Sequence, residues 1–76
     1  MKKIPNLSGK ELGKIIEKIG FILNHQRGSH LIYKNLDGRV VVIPHHSGEK
    51  IGPGLLNKII KKDLMITRKE FLELMK

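Results

Sequence analysis

Four histidines, His25, His30, His45 and His46, carry the side chain that exchanges protons near neutral pH. One of them has a distinctive setting. Arg27-Gly28-Ser29-His30 runs straight into the apolar Leu31-Ile32-Tyr33, and a Gly-Ser pair between two strand-like runs reads as a tight hairpin turn. With two residues in the loop, Arg27 and His30 face each other across the hairpin and project from the same side of a sheet. An imidazole beside a guanidinium suits acid–base work on a phosphodiester. RNA brings its own nucleophile, the 2′-hydroxyl, which attacks the adjacent phosphorus once a base has taken its proton. Surrounding cations would neutralise phosphate charge in the transition state. Such a step needs no metal or other cofactor, and one positioned base contributes about 10²–10⁴-fold. The second proton carrier stays open among His25, His45, Tyr33 and water.

Other chemistries find little support. Cysteine is absent, which excludes disulfides, thiolate nucleophiles and Cys-based zinc sites. Neither an H-E-x-x-H helix pair nor a His/carboxylate cluster is present, so His45-His46 reads as polar loop and no metal site is expected. Gly48-Glu49-Lys50-Ile51-Gly52-Pro53-Gly54 is glycine-rich and opens a helix, but it lacks the G-K-[ST] of a P-loop. One Tyr, two Phe and no Trp make a poor base-stacking platform. Charge is the strongest remaining clue. Fifteen Lys and Arg against seven acids give a net charge of +8, which favours a polyanionic partner.

The elements that must hold the hairpin are legible. In 76 residues there is room for one domain, 1–76, with one small core. Ser8 and Glu11 stand in capping-box spacing before Leu12, Ile15, Ile16 and Ile19, which predicts a helix over 8–20 stopped by Gly20. Lys10, Lys14 and Lys18 recur on its opposite face, as a solvated or phosphate-facing stripe. Residues 21–27 and 30–35 read as the two hairpin strands. Asn35-Leu36-Asp37-Gly38 makes the next turn. Residues 39–43 form a third strand, β-branched and expected to be the most buried, with Pro44 ending it.

A loop over 45–52 precedes a second helix over 53–63. Its inner face is Leu55, Leu56, Ile59 and Ile60, and its outer face Lys58, Lys61 and Lys62. Thr67 and Glu70 cap a short third helix that carries Phe71, Leu72, Leu74 and Met75. Tight turns make the strands antiparallel, and the helices then need one sheet face to cover. The expected class is α+β, with the α-β-β-β-α order of double-stranded-RNA-binding domains. Alternation separates His30, Ile32 and Lys34 from Leu31, Tyr33 and Asn35. Both sets are mixed, so pattern alone leaves open which side meets solvent. No apolar run approaches the ~18 residues that span a bilayer. The N-terminal Met1-Lys2-Lys3-Ile4-Pro5-Asn6 lacks the apolar segment of a signal peptide, so a cytoplasmic location is expected.

The ordered set of motifs resembles the HicA toxins, also described as YcfA-like. It comprises the helix ending in Gly20-Phe21, Gly28-Ser29-His30 with an aromatic at Tyr33, Val42-Ile43-Pro44-x-His46, the glycine-rich entry to the second helix, and Ile66-Thr67-Arg68-Lys69-Glu70-Phe71. It spans Lys10 to about Leu74. The chain departs at Gly52-Pro53-Gly54-Leu55, where the family more often has Gly-Thr-Leu. The resemblance implies metal-independent cleavage of messenger RNA with His30 as the catalytic histidine, and a HicB-type antitoxin as protein partner. Arg27, Gly28, Ser29 and Lys34, with Lys58, Lys61 and Lys62, are the expected RNA contacts. The rival readings are a noncatalytic RNA-binding domain and a basic protein-interaction module.

Overall fold

A computed structural model describes residues 4–46 and 48–76. The N-terminal Met-Lys-Lys and Ser47 of the expected loop lie outside the described residues. Helix α1 spans Gly9–Glu17. Ser8 caps it: its hydroxyl accepts from the Glu11 N–H at 3.2 Å, while its own N–H donates to Glu11 Oε1 at 2.9 Å. The helix ends earlier than its apolar stripe because residues 18–20 tighten into i→i+3 bonds, and Gly20, at φ +95°, turns the chain into the sheet. Leu12 and Ile16 are fully buried, with Ile15 and Ile19 half-buried beside them.

Strands β1 (Phe21–Arg27), β2 (His30–Asn35) and β3 (Val40–Pro44) form an antiparallel sheet in the order β1-β2-β3. Phe21, Leu31, Tyr33, Val41 and Ile43 point into the core against the helices. The third strand differs from expectation. It is an edge strand covered on one side only, so Val40 and Val42 are exposed, and Pro44 belongs to it as the partner of His30. A proline is tolerated there because an edge strand can leave one ladder direction unpaired.

Helix α2 (Pro53–Lys58) continues into a π-helical turn over Ile59–Asp63, closed by Leu64 N–H to the Ile59 carbonyl at 2.8 Å. Leu56, Ile59, Ile60 and Leu64 are buried, whereas Leu55, expected on the inner face, is exposed. Met65 follows at φ +57° with its side chain in solvent. Helix α3 (Arg68–Leu74) repeats the capping box with Thr67 and Glu70 and buries Phe71 completely. Element order and one-sided packing give the α-β-β-β-α layout of double-stranded-RNA-binding domains.

Arg39 holds the far end of the sheet to the helices. Its Nε pairs with Asp37 at 2.8 Å, its guanidinium lies 5.0 Å from the Phe21 ring centroid, and Nη1 donates to the Leu64 carbonyl. A planar fork can meet a carboxylate, a ring face and a helix end together, which a lysine cannot.

Candidate functional site

Gly28 takes φ +58°, a conformation open to glycine at little cost, and nothing lies within 4 Å of a Cβ placed there. The glycine is therefore needed for the turn itself and not for space. Arg27 and His30 are direct cross-strand partners, as two loop residues require. Gln26 Nε2 donates to the Gly28 carbonyl at 3.0 Å, and the His45 N–H donates to the Ser29 carbonyl at 2.6 Å, so the turn is braced from both sides.

Leu31 and Tyr33 are buried, so His30, Ile32 and Lys34 lie on the helix-free face, with His30 and Lys34 exposed. Strict alternation along β1 would send His25 and Arg27 to the same side as Phe21. A bulge at Asn24 prevents this. Leu23 pairs with Tyr33 while His25 pairs with Ile32, so one residue is absorbed and the side-chain order inverts. His25, Arg27, His30 and Lys34 thus share one face with Ile22, Ile32, Val40, Val42 and Pro44. None of these residues is acidic.

The remaining candidates sit elsewhere. Tyr33 is buried on the core side with its hydroxyl over Gly13, and burial, followed by the Glu17 carboxylate, pushes its phenol upward. His45 is half-buried beside the start of α1, its Nδ1 enclosed without a hydrogen-bond partner among the described residues. His46 is exposed in a shallow cleft with Pro44, Lys50 and Leu55. Among the described residues no three His, Asp or Glu side chains converge.

Lys58, Lys61 and Lys62 are exposed on the helical layer, across the molecule from His30. Lys58 pairs with Asp63 at 3.5 Å, and the π-helical turn that carries Lys61 and Lys62 ends at Leu64, whose carbonyl accepts from Arg39. The α1 stripe is also divided: Lys18 Nζ donates to the Leu74 carbonyl at 2.7 Å and so closes the end of α3.

Sequence reading missed two residues. Asn24 gave no signal because a bulge leaves none in a polar edge strand. Arg39 followed a turn glycine and looked like one more surface cation.

These features define a class: a small basic α-β-β-β-α domain whose first hairpin presents a histidine and an arginine on an uncovered sheet face. The match that narrows the class is to a family described as the HicA toxin of bacterial toxin–antitoxin systems, over residues 9–64. The chain belongs to the HicA toxin family. Membership implies a toxin–antitoxin partnership. No curated protein matches the sequence. No helix among the described residues is long and apolar enough to cross a membrane.

Proposed function

We propose that the protein is a metal-independent endoribonuclease that cleaves messenger RNA in the cytoplasm, with His30 as the acid–base residue. The observation that carries the reading is the exposed His30–Arg27 pair on a sheet face without a carboxylate. His30 takes the proton of a 2′-hydroxyl, and the oxygen attacks the adjacent phosphorus. Arg27 meets a non-bridging phosphate oxygen, where a guanidinium gives charge-assisted hydrogen bonds to the transition state. Gly28 and Ser29 supply the tight turn that lets a backbone approach closely, and Lys34 meets a flanking phosphate. Half-buried Ile32 and exposed Val42 offer an apolar floor for ribose. Lys58, Lys61 and Lys62 act as a second cationic surface, steering RNA from a distance or meeting a strand that passes around the sheet edge.

The family and the +8 charge also support an acidic HicB-type antitoxin as the partner that covers this face. Incubating RNA with the wild type and His30→Ala in the presence of chelator tests the activity. The wild type is expected to cleave, and the variant to lose about 10²–10⁴-fold while still binding. A variant as active as the wild type would remove His30 from the role. Cleavage abolished by chelator would remove the metal-free mechanism. RNA recovered intact from the wild type would favour a noncatalytic RNA-binding domain.

A further inference from the structure

A base alone leaves the reaction half-served, because the departing 5′-oxygen also needs a proton. We infer that His25 supplies it, an assignment that rests on the ribonuclease reading above. The bulge at Asn24 turns His25 onto the face of His30, and His25 stands two residues from Arg27, the direct partner of His30. That makes the two histidines diagonal neighbours, a relation that places side chains about 7–8 Å apart with Arg27 beside both. Two imidazoles at that spacing bracket one phosphodiester and address its apical oxygens from opposite sides, as an in-line displacement requires.

The ring of His25 is also oriented. Its Nδ1 donates to Asn24 Oδ1 at 2.6 Å, which leaves Nε2 as the nitrogen presented to a substrate. Thus one residue, Asn24, both inverts the strand and holds the imidazole. Tyr33 and His45 belong to the helix side of the sheet, and His46 lies beyond the ladder in its own cleft. In the balanced step, neutral His30 accepts the 2′-proton as the P–O2′ bond forms. The P–O5′ bond breaks, and protonated His25 delivers its Nε2 proton to O5′. The products are a 2′,3′-cyclic phosphate and a 5′-hydroxyl, with His30 left protonated and His25 neutral. Exchange with water resets both.

The test uses an RNA whose scissile 5′-bridging oxygen is replaced by sulfur, since a thiolate leaves without protonation. His25→Ala is expected to lose about 10²–10⁴-fold on the oxygen substrate and to stay within about threefold of wild type on the sulfur one. His30→Ala is expected to fail on both, because the nucleophile needs its base either way. Asn24→Ala, removing a positioning residue, should lower kcat about tenfold on the oxygen substrate alone, with KM unchanged. Full activity of His25→Ala on the oxygen substrate would overturn the assignment while leaving His30 intact. Equal losses on both substrates would overturn the acid role. An oxygen-specific loss in His46→Ala would transfer the role to His46. A wild type that cleaves neither RNA would bring down the ribonuclease reading itself.

Discussion

Gly13 lies inside α1, where replacing glycine by alanine ordinarily stabilises by about 1 kcal/mol. The packing of α1 on β2 reverses that expectation. A Cβ at Gly13 would overlap the Tyr33 hydroxyl and lie 2.7 Å from the ring carbon that bears it, well inside contact distance. Tyr33 is 5% exposed and cannot swing clear without disturbing the core. Overpacking of this kind costs typically about 1–3 kcal/mol, and contacts this short belong to its upper half, so Gly13→Ala should lose roughly 1–2 kcal/mol once the propensity gain of about 1 kcal/mol is subtracted. For a domain of this size that is a Tm fall of roughly 5–15 °C, read by circular dichroism. In a Tyr33→Phe background the nearest oxygen is gone, and the cost of the same substitution should shrink by about 1 kcal/mol. A Tm that rises on Gly13→Ala would show that helix and strand do not meet as described.

Two further outcomes follow from the local backbone and its caps. Met65 holds φ +57° while 72% exposed, so Met65→Gly relieves a left-handed strain of about 1–2 kcal/mol and costs about 0.4–1 kcal/mol in unfolded-chain entropy. Urea unfolding should show a net gain of about 0.5–1 kcal/mol, and a loss would mean that the Met65 side chain packs. The Ser8 backbone N–H, then Lys50 and the Ser8 hydroxyl, hold the Glu11 carboxyl below its ordinary value. The Thr67 backbone does the same for Glu70. A lowered folded value means stability that is complete above the ordinary glutamate range and is lost as pH falls through the folded value. Glu11→Gln keeps an acceptor for the cap but removes the titration, so its stability should fall less steeply in acid. An unchanged acid slope would exclude Glu11 from that dependence.

Much of this architecture was legible because local rules and packing agree. Both capping boxes, the Gly28-Ser29 and Gly38 turns, and the apolar helical stripes identified the elements and their order. Failures came where a register changed by one residue. The bulge at Asn24 inverts β1, a π-helical turn replaces the end of the α-helix expected over 53–63, and Leu55 is exposed beside buried Leu56. Neither insertion alters composition or periodicity enough to be read from the chain. β-branched Val40 and Val42 suggested burial, yet their strand has a covered side and an open one. The hairpin pair Arg27–His30 followed from turn length alone. That His25 joins it did not, since alternation counted without the bulge puts His25 among the core-facing positions.

The chemical ends left on cleaved RNA test the central claim most directly. If His30 activates the 2′-hydroxyl of the substrate, single-turnover cleavage in chelator leaves a 2′,3′-cyclic phosphate and a 5′-hydroxyl. A single 2′-deoxy nucleotide at the scissile position then stops the reaction. Products ending in a 3′-hydroxyl and a 5′-phosphate, or cleavage that survives loss of that 2′-hydroxyl, would contradict the account.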